Sequence, residues 1–354
     1  MANIVDYVEY YKNKTFDEIP FNDVDSLVLS ELSYIDFSEC ITKDIIPINL
    51  ENLGKLYFSK VLKDDMKGRA KLYRETYDLF NFLRNTNRYK KLEVTNYKRI
   101  VDSEKQFGAI TFRYEKKWVY IAFEGTDTSI IGWKEDFNLS HKFPIPSHTL
   151  AINYLEDEVR FLDKKVYIGG HSKGGNLAVT ASMKASSFVR NRIKLIYAFD
   201  SPGLREKEYH SISYKRIRNK VKMFVPSESI VGMLLNHDLK YEVVKSSSKA
   251  LWQHDAFSWQ CFGSVFIPDE LSHKSMNFSK NISQFLEKIP DDERENFVES
   301  VFSVLDKSGI KNTESITLSK ILKCISNISG LTEDKKTKDK LKKIFEIILD
   351  YLKI

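Results

Sequence analysis

The residues with the clearest capacity for chemistry lie in one short stretch, Val166-Tyr-Ile-Gly-Gly-His-Ser172-Lys-Gly-Gly-Asn176. An apolar run enters G-x-S-x-G at Gly170-His171-Ser172-Lys173-Gly174, and Leu177, Ala178 and Ala181 follow at helical spacing. Strand, sharp turn and helix together are the layout of a nucleophile elbow. The turn is too tight for side chains two residues either side of the serine. Glycine stands at both places and tolerates a strained backbone. Ser172 Oγ is thereby presented at the C-terminal edge of a sheet, in front of the N–H groups and positive dipole end of the next helix. The chemistry this predicts is nucleophilic attack by a hydroxyl. A phosphate-binding P-loop is excluded, since it needs Lys and Ser/Thr directly after its last glycine, and here Asn176 follows Gly175.

The rest of the chain must position that serine. Residues 1–60 read as amphipathic helix, with Val24, Leu27, Val28, Leu32 and Ile35 at helical spacing behind a cap at Asn22/Asp23. Residues 66–88 predict a second helix. Lys91–Tyr97, Gln106–Tyr114 and Lys117–Phe123 are rich in aromatic and β-branched residues and predict strands, the last two joined as a hairpin through Glu115-Lys116. A helix follows Pro146, with Leu150, Tyr154, Leu155, Val159 and Leu162 on its apolar face. Ile193–Phe199, ending at Asp200-Ser-Pro-Gly203, then Val221–Val225 and finally Lys240–Lys245 predict further strands. Strands alternating with helices imply a mainly parallel sheet flanked by helices. Ligands on such sheets bind at the C-terminal strand ends, where Ser172 and Asp200 both fall. After about residue 275 the pattern is purely helical. The division predicted is an α/β domain over 1–275, with its helical part at 1–90, and a helical extension over 276–354.

A length of 354 residues suits this division. The net charge of +6 is spread along the chain and does not predict nucleic-acid binding. The basic tail, with Lys335, Lys336, Lys338, Lys340, Lys342 and Lys343 beside Leu341, Ile344, Phe345, Ile348, Tyr351 and Leu352, has the form of a surface-lying helix. Packing against its own domain is the commoner use of such a face, with weak membrane-surface contact as the other. Cys40, Cys261 and Cys324 are sparse and odd in number, which predicts free thiols in a reducing compartment. The N-terminus lacks the basic and apolar regions of a signal peptide, and a cytoplasmic location is expected. With no H-E-x-x-H and no Cys/His cluster at ligand spacing, neither metal nor cofactor is expected.

A second segment gains meaning beside Ser172. Phe123-Glu-Gly-Thr126, followed by Trp133 and Asp136, resembles the F-R-G-T…W…D segment of the class 3 (fungal-type) lipases, whose nucleophile motif G-H-S-x-G-G is matched by Gly170–Gly175. This resemblance covers roughly residues 100–260. A closer likeness, over nearly the whole chain, is to a bacterial family of that group with a C-terminal helical extension. It is carried by Phe21-Asn-Asp-Val-Asp25, the His171–Asn176 block, Asp200-Ser-Pro-Gly203, Ser229–Leu234 and Gln253-His254-Asp255-Ala-Phe-Ser-Trp259. The resemblance implies the α/β-hydrolase fold and a lipase- or esterase-like hydrolase acting through an acyl-enzyme. An acyltransferase or thioesterase on the same site, and a binding protein that keeps the fold without catalysis, are the rival readings.

A serine needs a base and the base an orienting acid, in the chain order Ser, acid, His. Of His210, His237, His254 and His273, only His254 lies in the loop after the last predicted strand and in the family's Gln-His-Asp block. His171 resembles the structural histidine packed under the elbow. Class 3 lipases carry their acid after the strand that here ends at Pro226, and the position that lines up is Ser229. That leaves Asp200, placed one strand earlier as in other lipases of this fold, with neighbouring Glu228 as the alternative. Asp255 is too close in sequence to His254 to orient it. The oxyanion hole is expected from the N–H groups of Lys173 and, by resemblance, Thr126, with Trp133 and Asp136 holding the loop. Residues 127–148, with Ile130, Ile131, Phe137, Phe143 and Ile145, form either an apolar lid or a fixed pocket wall. The Lys173 side chain is expected either to favour an anionic head group or to face water.

Overall fold

Trp118–Phe123 shows no polar alternation because both its faces are covered. Tyr120 and Ala122 join one apolar cluster with the N-terminal helices, while Val119, Ile121 and Phe123 join another on the opposite face. The period-two pleat divides the strand between the two layers. The computed structural model describes residues 2–42, 44–102, 105–126, 130–238, 240–310, 317–330 and 334–352.

The strands are β1 (Ile48–Asn49), β2 (Glu93–Val101), β3 (Gln106–Tyr114), β4 (Trp118–Phe123), β5 (Val166–His171), β6 (Ile193–Phe199), β7 (Val221–Pro226) and β8 (Tyr241–Val244). They lie side by side in chain order, antiparallel from β1 to β4 and parallel from β4 to β8. Helices α1 (Ile4–Tyr11), α2 (Asp23–Glu31), α3 (Leu50–Lys60) and α4 (Lys71–Leu83) cover one face. Next come α5 (Ile130–Asn138), α6 (Pro146–Glu158), α7 (Lys173–Lys184), α8 (Ser187–Arg192) and the single turns α9 (Glu206–Tyr209) and α10 (Ile212–Lys215). Of these, α6, α7 and α8 bury Leu155, Leu177 and Val189 in the cluster on the other face. The mainly parallel sheet flanked by helices is the one the strand and helix pattern predicts, and the α/β-hydrolase fold is the one the resemblance implies.

The Phe21–Asp25 segment turns out to be an anchor. Asn22 caps α2 and Asp25 completes the capping box. Asp25 also accepts from Arg88 and from Tyr89 Oη at 2.6 Å, with both ion-pair partners fully buried. Removing one partner of such a pair typically costs about 3–5 kcal/mol.

Three expectations need correction. Residues 1–60 are not helical throughout, because Ile48–Asn49 forms the two-residue strand β1 on the sheet edge beside β2, too short to show a periodicity. Leu162 is exposed, because α6 ends at Glu158 and the chain has left the helix before reaching it. The last strand is not Lys240–Lys245. Cys261–Phe262 (β9) and Val265–Phe266 (β10) form a small antiparallel pair, too short to show any periodicity.

Beyond the sheet lie α11 (His273–Glu287), α12 (Asp291–Lys307), α13 (Leu318–Asn327) and α14 (Lys335–Leu352), which share an apolar cluster of their own. Leu341, Ile344, Phe345 and Tyr351 of α14 are buried in it. Phe137, Ile230, Leu234 and Ala250 pack against it from the sheet domain.

Candidate active site

The elbow rests on crowding. A Cβ added at Gly170 would lie 2.3 Å from the Gly174 carbonyl carbon, and one at Gly174 would lie 2.1 Å from the Phe123 oxygen. Glycine is needed here for space. The strained conformation belongs to the serine itself, at φ 55° and ψ −129°, where a non-glycine residue costs of order 1–3 kcal/mol. The Ser172 N–H donates to Phe199 O at 2.8 Å, which ties the turn to the neighbouring strand end.

His254 reaches this edge on a short 3₁₀ turn, Ala250–His254. Its Nδ1 meets Asp200 Oδ2 at 2.6 Å. Asp200 is fully buried and holds φ 42°. Its other oxygen, Oδ1, accepts from Ser229 Oγ and from Gly232 N–H at 3.0 Å. With both carboxylate oxygens accepting, His254 must donate from Nδ1, which leaves the Nε2 lone pair as an acceptor. His254 is fixed at its backbone too, since its carbonyl accepts from His171 Nε2 at 2.8 Å. The two rings lie 4.5 Å apart at a 32° tilt. His171 Nδ1 is then free to accept from Tyr34 Oη at 3.1 Å. Burial, reinforced by neighbouring His254, pushes the His171 pKa well below the ordinary range, so this ring is neutral.

Ser172 and His254 line the same cavity. Among the described residues no hydrogen bond joins Ser172 Oγ to a His254 ring nitrogen, a contact that often closes only once substrate is bound. Glu228 is turned away. Its carboxylate accepts from Ala250 N and from Gln253 Nε2 at 3.3 Å, and its own N–H donates to Gln253 Oε1 at 2.9 Å. It braces the loop that carries His254. Ser229, the position that the resemblance sets against the class 3 acid, donates to the carboxylate that meets His254. Asp255 pairs with Lys71. His210 binds exposed Glu206 at 2.7 Å, His237 packs on Tyr241 in a separate cavity, and His273 opens α11.

On the opposite side, β4 and β5 pair in parallel with Phe123 beside Gly170. This sets the Gly125–Thr126 turn against the elbow, where a Cβ on Gly125 would lie 2.5 Å from His171 O. Thr126 Oγ donates to Asp136 Oδ1 at 2.9 Å. Asp136 lines the cavity beside Ser172, and burial pushes its carboxyl up to about 7 against the pull of Lys173. Lys173 opens α7, so its N–H has no carbonyl to meet inside the helix.

The Lys173 side chain does neither of the things expected of it. It is fully buried, and its ammonium bonds Glu135 Oε2 at 2.8 Å and Gln106 O at 2.9 Å. Glu135 in turn accepts from Ser147 Oγ. A lysine flanked by small residues gives no sequence signal of this pairing, because its partner lies 38 residues away on α5. Residues 127–129 and the side chains of Ile130, Ile131 and Trp133 lie outside the described residues. Of the rest of 127–148, Asp136, Phe137 and Ser140 line the cavity. Phe143 instead packs on His148 with ring centres 5.2 Å apart, and Ile145 is buried at the start of α6.

Most of the cavity wall comes from the helical extension. Phe278, Val298, Val301, Ile321, Ile344 and Phe345 face the space that Ser172 opens into, alongside Ile230, Leu234 and Leu251. The sequence showed Ile344 and Phe345 on the apolar face of the tail without showing what that face meets. Among the described residues no group of three or more His, Cys, Asp or Glu is placed to hold a metal ion. No described helix is long and apolar enough to cross a membrane.

Sheet order, the flanking helices and the strand-to-helix turn at Ser172 are those of the α/β-hydrolase fold. The chain belongs to the Mbeg1-like family, whose model matches residues 83–303. Among solved structures it is similar to the crystal structure of M37 lipase, at 17% identity and TM-score 0.36 over 60% of this chain and 69% of that one. It is also similar to the lipase from Rhizopus microsporus var. chinensis, at 17% identity and TM-score 0.31 over 51% and 69%. No curated protein is significantly similar in sequence.

Proposed function

We propose that the chain is a serine carboxylic-ester hydrolase. The observation that carries this reading is Ser172 at a strained strand-to-helix elbow, lining one cavity with a histidine whose Nδ1 is held at 2.6 Å by a fully buried carboxylate. Such a constellation is recognised by geometry and role. Ser172 Oγ attacks the ester carbonyl carbon while His254 Nε2 takes its proton. The C–O bond to the alcohol then breaks, and His254 returns the proton to the leaving oxygen. A water, deprotonated by the same nitrogen, adds to the acyl-enzyme and releases the carboxylic acid and Ser172. Asp200 orients His254 and stabilises the imidazolium. The Lys173 and Thr126 N–H groups meet the oxyanion, each such donor being worth roughly 10²–10³ in rate.

An acyltransferase or thioesterase would use the same acyl-enzyme with a different second acceptor or leaving group. A protein that binds without catalysis would leave Ser172 unreactive. Labelling with a fluorophosphonate tests the proposal: wild type is expected to label and Ser172→Ala not to. A folded wild type that does not label at all overturns it.

A further inference from the structure

The wall of the Ser172 cavity has an unusual chemistry. Apart from Asp136, Ser172 and His254 at the reacting end, its polar side chains are Ser140, Arg294 and Tyr351. Each of these is spent on backbone. Ser140 Oγ donates to Phe137 O. The Arg294 guanidinium donates to Ile289 O at 2.9 Å, Leu286 O at 3.0 Å and Ser140 O at 3.1 Å. Tyr351 Oη donates to Glu228 O at 2.7 Å. The remaining wall is apolar, drawn from all four helices of the extension and from Phe137, Pro202, Leu251 and the Ile230–Leu235 loop of the sheet domain. Away from Ser172, then, the space presents apolar surface, and the polar groups on its wall are already bonded. A sugar, peptide or phosphate would lose its water there with little returned. A hydrocarbon chain loses nothing polar and gains contact with every wall.

The extension is seated firmly enough to serve as that wall. Phe137 and Phe302 meet edge to face with ring centres 5.3 Å apart across α5 and α12. Lys134 pairs with Glu299 at 2.6 Å and Lys142 with Glu295 at 2.9 Å. Ser275 Oγ donates to Ser229 O, and Ser279 Oγ donates to Met233 O at 3.0 Å. The same loop from Ser229 to Met233 supplies Asp200 with its two other donors, Ser229 Oγ and Gly232 N–H. Acyl chamber and acid therefore share one support.

We propose that α11–α14 form the acyl-binding chamber of the enzyme and that its substrate is an ester with an apolar acyl chain. This rests on Ser172 being the nucleophile. The carbonyl lies at Ser172, the hydrocarbon chain runs between the helices, and the alcohol leaves on the other side.

Two measurements on the full-length protein test this. The first is the second-order rate of Ser172 labelling by a series of alkyl fluorophosphonates from ethyl to dodecyl. In wild type the rate is expected to rise by about threefold to fourfold per added methylene until the chamber is full. Val301→Trp, on α12, narrows the chamber. It is expected to lower the ratio of dodecyl to ethyl labelling rates at least tenfold. The second is binding of cis-parinaric acid, followed by its fluorescence, which requires no chemistry. Wild type and Ser172→Ala are expected to bind it alike. Rates independent of chain length in wild type, together with no parinarate binding, overturn the chamber whatever Val301→Trp does, and leave the serine hydrolase intact if ethyl labelling persists. Parinarate binding without labelling by any chain length overturns the hydrolase and keeps the chamber.

Discussion

Replacing Asp200 by Asn isolates the orienting acid with little change of shape. Asp200 Oδ1 accepts from Ser229 Oγ and Gly232 N–H. An asparagine keeps its carbonyl oxygen toward those donors and so turns its NH₂ toward His254. Nδ1, now facing a donor, must give up its hydrogen, and the proton moves to Nε2. The nitrogen that should accept from Ser172 is thereby blocked. The charge is lost as well. Imidazolium and carboxylate centres about 4 Å apart interact by ~4 kcal/mol at an effective dielectric near 20, a factor of about 10³ in rate. Together with the wrong tautomer, a fall of about 10³–10⁴ in kcat is expected, comparable to the same substitution in serine-protease triads. The assay is kcat on a short-chain nitrophenyl ester, with the rate of ethyl fluorophosphonate labelling measured in parallel. Glu228→Gln is the control. It keeps an acceptor for Ala250 N–H and is expected to stay within about threefold of wild type, since Glu228 meets the His254 loop and not the imidazole. A well-folded Asp200→Asn within tenfold of wild type would refute the argument, as would a loss of orders of magnitude in Glu228→Gln alone.

The buried Lys173–Glu135 pair makes a prediction about stability. Lys173→Met strands the Glu135 carboxylate and should cost about 3–5 kcal/mol in chemical denaturation, with Lys173→Met/Glu135→Leu recovering most of it; a single variant as stable as wild type would show the pair to be dispensable. His148, buried between Ile145 N–H and Asn176 Oδ1, has its pKa pushed down to about 4 by burial. The unfolded chain takes up a proton near pH 6.5 that the folded chain refuses until about 4. This contribution is fully present above pH 6.5 and lost as pH falls, at up to ~1.4 kcal/mol per unit within that window. His148→Gln should therefore narrow its stability gap to wild type as pH falls from 7 to 4.5, and a gap independent of pH would count against the assignment.

How much could be read without coordinates varied from residue to residue. Strands β3 to β7 and the elbow were legible because each is a local pattern: β-branched or aromatic runs, glycines at fixed offsets, helical spacing after Ser172. The choice between Asp200 and Glu228 was not, because it depends on which carboxylate a loop 54 residues downstream comes to meet. Ser229 stood out only as a departure from the lipase pattern. Its use as a donor to Asp200 appears once β6 and β7 lie side by side. Lys173 was misread for the same reason, since nothing near it in sequence is its partner.

By itself the sequence determined the layered α/β architecture, the identity of the elbow serine and the chain order of its candidate partners. Those follow from steric demands acting over a few residues and from apolar periodicity. Only the tertiary structure decided which carboxylate holds His254, where the Lys173 charge goes, and that the C-terminal helices wall the cavity at Ser172. These depend on contacts between segments far apart in the chain. A stripe of apolar residues records that a face is buried, and leaves open what it is buried against.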